Sequence, residues 1–124
     1  MKRTKRVLIV DDDRDNREAY AEYLRFRGFA IDEAATGSAA LEMIKRCNPD
    51  VVLLDMRLPD AKGTDISRQV RAIRPRRPAI VALSASVFED DVVAALENGC
   101  DLFLPKPCLP DALESEIRRL LQMA

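Results

Sequence analysis

A chain of 124 residues with 20 Lys+Arg against 21 Asp+Glu, and a formal net charge of −1, is the size of one domain with a real core. Its charge balance excludes a whole-chain fit to nucleic acid or to a membrane surface. It has no histidine and 3 cysteines, Cys47, Cys100 and Cys108, none in CxxC spacing, which argues against zinc and haem and suits a reducing cytoplasm. No apolar stretch approaches the ~20 residues that cross a bilayer. The polar start, Met1 to Arg6, precedes only four aliphatics, too few for a secretory signal. The expectation is one domain over 1–124, cytoplasmic, with no nucleic-acid or membrane partner.

In chain order, Val7-Leu8-Ile9-Val10 is an unbroken aliphatic run that stops on Asp11-Asp12-Asp13. Such a run without alternation predicts a strand buried on both faces, and so a parallel sheet covered by helices. A first helix starts near Asp13 to Asp15, where acids suit the macrodipole. It carries Ala19, Tyr23, Leu24 and Phe26 and stops at Gly28. A short half-buried strand around Ala30 to Glu33 follows. A second helix from Thr36-Gly37 sets Ala40, Leu41 and Ile44 on one face and ends at Asn48-Pro49. Val51-Val52-Leu53-Leu54 stops on Asp55. After a loop with Pro59 and Gly63, Ile66, Val70 and Ile73 mark a third helix that Arg74-Pro75 ends.

Ala79-Ile80-Val81-Ala82-Leu83 ends on the hydroxyl of Ser84. Ser86-x-x-Glu89 matches a capping box for a fourth helix through Val92, Val93 and Leu96 to Asn98-Gly99, a left-handed stop. Leu102-Phe103-Leu104-Pro105 stops on Lys106, and Pro110 suits the first turn of a last helix with Leu113, Ile117, Leu120 and Leu121. The βαβαβαβαβα order predicts a three-layer α/β sandwich, doubly wound around a parallel sheet. The arginines at 68, 71, 74, 76 and 77 are read as a solvated face.

Parallel neighbours point the same way, so three acids, a lysine and a hydroxyl are expected on one rim, where open α/β sheets place their sites. Two carboxylates at ~4 Å repel by about 4 kcal/mol at an effective dielectric near 20, and Lys106 supplies one positive charge against three negatives. Room is left for a divalent ion. Hard oxygens without His or Cys select Mg²⁺, with Mn²⁺ possible, over zinc. A metal, an ammonium and a hydroxyl around one carboxylate suit phosphoryl transfer onto an aspartate. Asp55, alone on its strand, is the nucleophile candidate; Asp11 and Asp12 are better placed to hold the metal. Asp13 caps the first helix.

Val10-Asp11-Asp12-Asp13, Leu54-Asp55-Met56-Arg57-Leu58-Pro59-Asp60-x-x-Gly63, Ala82-Leu83-Ser84-Ala85 and Leu104-Pro105-Lys106-Pro107 resemble the receiver domain of bacterial two-component response regulators, including the single-domain chemotaxis type. The resemblance covers about Arg6 to Leu121. It implies a flavodoxin-like (βα)5 fold with strand order 2-1-3-4-5. It implies that Asp55 is the phosphoacceptor, charged from a phosphohistidine on a sensor histidine kinase or phosphotransfer protein. Asp11, Asp12 and Asp55 would bind Mg²⁺ with the backbone carbonyl of Arg57. Ser84 would be the switch hydroxyl, Lys106 its companion on the phosphoryl group, and Phe103 the aromatic that swings inward.

Arg14 and Asn16 replace a frequent proline and aliphatic of the family, and Cys108 a frequent aromatic. Arg57 and Ser86 occupy the two positions that tune phosphate lifetime, and the Arg57 side chain is expected to alter the access of hydrolytic water. Phosphorylation is expected to shift the face formed by the fourth helix, last strand and last helix. The chain is read as a switch rather than an enzyme, with self-phosphorylation and dephosphorylation its only chemistry. The output protein or domain is not identified, the receiver is either stand-alone or cut from a longer protein, and a monomer or weak dimer is expected. Two alternatives differ in class. An aspartyl-phosphate phosphatase would want a second acid where Arg57 stands. A flavodoxin-like FMN carrier would want a Ser/Thr/Gly loop where Asp11 to Asp13 stand.

Overall fold

Four aliphatic runs and one mixed segment form five parallel strands in the computed structural model of the chain, which describes residues 3–73, 78–86 and 88–122. The elements follow the predicted alternation: β1 (Arg6–Val10), α1 (Arg14–Phe26), β2 (Ala30–Ala34), α2 (Gly37–Cys47), β3 (Val51–Asp55), α3 (Gly63–Ile73), β4 (Ala79–Ser84), α4 (Glu89–Glu97), β5 (Leu102–Pro105) and α5 (Pro110–Leu120). The sheet order is β2-β1-β3-β4-β5, with every pairing parallel. This is the doubly wound, flavodoxin-like α/β architecture expected from the sequence.

Side chains alternate across a strand, so each aliphatic run feeds two cores. Leu8, Val10, Val52, Leu54, Ile80 and Ala82 face α2, α3 and α4, where they meet Ala40, Ile44, Ile66, Val70 and Ala95. Val7, Ile9, Val51, Leu53, Val81 and Leu83 face α1 and α5 and meet Tyr20, Ala21, Leu24, Leu113 and Ile117. Fully burying each large aliphatic stabilises by about 1.5–3 kcal/mol. Register then lines up the strand ends. Val10 pairs with Leu54, Asp55 with Leu83 and Ser84 with Pro105. Asp11, Asp55, Ser84 and Lys106 therefore emerge on the same edge.

The predicted Asp13 cap of α1 is present, and α2 carries a side-chain cap of its own. Asp13 accepts from the Asn16 N–H at 3.2 Å, and Thr36 accepts from the Ala39 N–H at 3.1 Å. Asn48 closes α2 in the left-handed region at φ 48°, and Gly99 follows α4 at φ +105°. The capping box does not form. The helix begins at Glu89, three residues after Ser86, so Asp91 takes the third helical position. The Ser86 hydroxyl donates to the Asp91 carboxylate instead, and the residue before the helix, Phe88, makes no side-chain cap.

Two apolar stripes also shift, and a third keeps Ile66 and Val70 but loses its last member. In α1 the sheet-facing residues are Tyr20, Ala21 and Leu24, while Phe26, two positions and about 200° further round, is 85% exposed. In α4 only Ala95 is buried, a small residue that lets the helix approach the sheet, and Val93 and Leu96 face outward. Ile73, at the last turn of α3, is exposed. β5 is half-buried rather than enclosed, because it is an edge strand. Arg74-Pro75, Arg76, Arg77 and Val87 lie outside the described residues.

One polar cluster ties the two helices on the same sheet face. Glu114 of α5, 6% exposed, accepts from the Tyr23 hydroxyl at 2.9 Å, from Arg27 at 3.0 Å and from Arg118 at 2.8 Å. The Arg118 guanidinium also lies 5.1 Å from the Phe29 ring centre, a cation–π contact. Burial pushes the Glu114 carboxyl up, but the hydrogen bonds from Arg118, Arg27 and Tyr23 outweigh it and hold it below the ordinary carboxylate range. A depressed value means that the stabilisation is complete above the unfolded-state pKa of about 4.3 and is lost as pH falls through the folded one. Replacing Glu114 by Gln should cost about 1–2 kcal/mol at pH 7 in urea unfolding. The gap between wild type and variant should narrow as pH drops below about 4; a gap of constant size across that window would contradict this account.

Candidate functional site

The ends of β1, β3 and β5 bring the predicted rim together. One carboxylate oxygen from each of Asp11, Asp12 and Asp55 can be chosen so that all lie within 4.8 Å of one another. Lys106, one residue past β5, donates from Nζ to Asp55 Oδ2 at 3.1 Å and to Asp11 Oδ2 at 3.5 Å. The remaining oxygens are held by main chain. Asp55 Oδ1 accepts from the Arg57 N–H at 3.0 Å, and Asp11 Oδ1 from the Asp13 N–H at 2.9 Å. Asp55 and Asp11 are buried, at 8% and 3% exposure, while Asp12 faces solvent.

Burial controls the electrostatics. It raises the Asp11 carboxyl above the usual range; the Asp13 N–H and the Lys106 charge oppose this, and the Asp55 charge adds to it. Burial also lowers the Lys106 ammonium, but its hydrogen bond and attraction to Asp55, and then Asp11, outweigh that and leave it above the ordinary lysine range. Lys106 is thus a fixed cation shared by two buried acids. The donor set is oxygen only, with one solvent-facing member, and one ammonium does not balance three carboxylates. Those residues fit a hard divalent ion that keeps part of its water shell.

Ser84 and Phe103 line a cleft beside this cluster. The cleft, about 390 Å³, is bounded by Arg57, Lys62, Ser84, Ser86, Asp91 and Phe103, among others. The Ser84 hydroxyl accepts from the Ser86 N–H at 3.1 Å, and the Ser84 carbonyl accepts from the Lys106 N–H at 2.8 Å. Phe103 is half-buried against the α2–α3–α4 core. The Arg57 side chain is exposed at the mouth.

The loop after Asp55 is fixed at both ends. Gly63 donates to the Met56 carbonyl at 3.0 Å, and a Cβ there would stand 2.8 Å from the Asp55 carbonyl oxygen, so only glycine allows that approach. Asp60 reaches across to the start of α2, accepting from the N–H groups of Gly37 at 2.7 Å and Ser38 at 3.0 Å. Those two bonds hold its carboxyl below the usual range. Sequence reasoning assigned no role to Asp60, Asp91 or Arg17. Asp60 lay in a quoted motif but its partner is 23 positions away, a pairing that local spacing does not reveal.

Comparison with known proteins agrees with this geometry. The family model described as the response regulator receiver domain matches residues 7–118. Among curated proteins, the response regulator MprA of Mycobacterium leprae is 39% identical over 117 residues, covering 94% of this chain and 51% of that protein. MprA of Mycobacterium ulcerans is 38% identical, covering 94% of this chain and 50% of that protein. The chain therefore spans about half the length of the curated relatives that it matches. Among solved structures, a CheY-like receiver domain protein from Methanospirillum hungatei superposes with a TM-score of 0.91 at 29% identity, covering 97% of this chain and 95% of that one. The BeF3-activated N-terminal receiver domain of Klebsiella pneumoniae RstA gives 0.88 at 28% identity, covering 96% and 100%. No helix of the described residues is long and apolar enough to cross a membrane. The chain belongs to the family of response regulator receiver domains of two-component systems.

Proposed function

We propose that this chain is a phosphoacceptor switch in which Asp55 takes a phosphoryl group from a phosphohistidine of a sensor kinase or phosphotransfer protein. The observation that carries the reading is the bonding of Asp55: buried, with one oxygen on Lys106 and the other on a main-chain N–H, beside two further acids. An Asp55 oxygen attacks phosphorus, the P–N bond breaks, and its electron pair stays on the imidazole, which takes up a proton. Lys106 stays beside Asp55 and meets the charge on the transferred oxygens. Asp11, Asp12, Asp55 and the Arg57 carbonyl would hold Mg²⁺, which when bound supplies further positive charge for those oxygens.

The product carries roughly one further negative charge than the aspartate did. Ser84 is free to rotate its hydroxyl towards it, and in doing so gives up the Ser86 N–H that it now accepts from. Phe103 borders the same cleft and fills the space that this movement opens. Shifting such an element from 1:99 to 99:1 needs about 5.5 kcal/mol, and charge-assisted hydrogen bonds of about 1.5–3 kcal/mol each supply much of it. The switch acts from the cytoplasm, as a monomer or weak dimer, on a partner protein or an attached output domain. It turns over no external substrate.

A small phosphodonor with Mg²⁺ should label the protein with one acid-stable, base-labile phosphate, and Asp55→Asn should carry none; equal labelling of the variant would sink the assignment. A stable phosphoryl mimic with Mg²⁺ should move amide signals along residues 88–98 and around Phe103, and an occupied site without such shifts would refute the switch. Arg57, exposed at the cleft mouth, should govern water access. The dephosphorylation rate of Arg57→Ala is expected to differ from wild type, and identical rates would discard that role.

A further inference from the structure

Arg17 lies in the first turns of α1, where an arginine ordinarily extends into water, yet its side chain is only 16% exposed. Its guanidinium is divided between two acceptors. Nη1 donates to the main-chain carbonyl of Asp11 at 2.8 Å, and Nε donates to Glu33 Oε1 at 3.2 Å. Glu33 sits near the end of β2, opposite Ile9, and is also met by Arg25 at 3.5 Å. The Asp11 carbonyl lies past the end of β1, where a buried acceptor has to find its own donor. With the Asp11 N–H bonded to the Ala34 carbonyl at 3.1 Å, Arg17 completes the fixation of that residue's backbone.

The carbonyl in question belongs to the peptide joining Asp11 to Asp12. A peptide unit is planar, so holding its oxygen sets the direction in which Asp12 leaves the strand. Asp12 depends on this. Its carboxylate is exposed and, among the described residues, makes no hydrogen bond or ion pair of its own, whereas Asp11 and Asp55 are each held by Lys106 and a main-chain N–H. We infer that Arg17 is a positioning residue for the acidic pair: it sets the Asp11–Asp12 peptide so that Asp12 faces the other two carboxylates.

The inference rests on reading Asp11, Asp12 and Asp55 as a Mg²⁺ site. Arg17 would touch neither metal nor phosphate and would act through the fork geometry of its guanidinium. A lysine keeps the charge but not that fork. Removing outer partners of metal ligands commonly weakens binding about 10–100-fold.

The test is titration of the full chain with magnesium chloride, followed by amide NMR, which reports the dissociation constant and the integrity of the fold together. Arg6→Ala is the control, because Arg6 pairs with Asp32 at 3.1 Å across the same two strands, from the far end of β1. Arg17→Ala should bind Mg²⁺ about tenfold more weakly, Arg17→Lys should also lose affinity, Arg6→Ala should match wild type, and Asp12→Asn should lose the site. If Arg17→Ala gives no dispersed spectrum, Arg17→Lys decides. Wild-type affinity in the folded Arg17 variants, or an equal loss in Arg6→Ala, overturns the positioning role while Asp12→Asn keeps the metal site standing. Wild-type affinity in Asp12→Asn removes the metal site and the inference together.

Discussion

Two carboxylates withdrawn from water at the ends of adjacent strands repel strongly, and the Lys106 ammonium between Asp55 and Asp11 is what allows both to stay there. At ~4 Å and an effective dielectric near 20, the repulsion is about 4 kcal/mol, a large part of the net stability of a small domain. One lysine offsets much of it by touching both acids. A third acid, Asp12, is left on the solvent side without a counter-charge, so the cluster retains a capacity for added positive charge. The same imbalance suits a site that gains and loses a phosphoryl group.

The sheet makes this arrangement unavoidable. Strands that run parallel and in register place their last residues on one edge; Asp11, Asp55 and Lys106 are each the last of their strand or the one after it, and Asp12 is one residue further on. Two apolar layers, one on each face, hold the edge rigid. Loops then refine it. Gly63 lets the chain fold tightly back over Asp55, Asp60 pins that loop to α2, and Arg17 pins the β1–α1 turn. At the cleft under α4, the Ser84 hydroxyl accepts from the Ser86 N–H and the Ser86 hydroxyl donates to Asp91.

Much of the frame was legible in the residues. Unalternating runs such as Val51 to Leu54, too short for a helix, fit a sheet covered on both faces, and their terminal charges mark the edge where the acids and Lys106 meet. Helix faces were less legible. Phe26 and Leu96 are apolar and correctly spaced for a core stripe, yet both face outward, because the sheet selects the stripe and here prefers Tyr20–Leu24 and the small Ala95. Ser86 and Glu89 have capping-box spacing, yet the cap position falls two residues later, at Phe88, and the helix starts at Glu89. Arg17 carried no signal at all: a solvated arginine and one that grips a carbonyl look identical in a sequence.

Phosphoryl transfer, as proposed, falls on one buried carboxylate, Asp55. Reductive trapping with borohydride after treatment with a small phosphodonor, read by peptide mass spectrometry, tests it most directly, because only an acyl phosphate is reduced to the alcohol. Conversion is expected at Asp55 alone, and only with Mg²⁺ present. Conversion at Asp11 or Asp12, or none at Asp55 in folded protein with Mg²⁺, would contradict it.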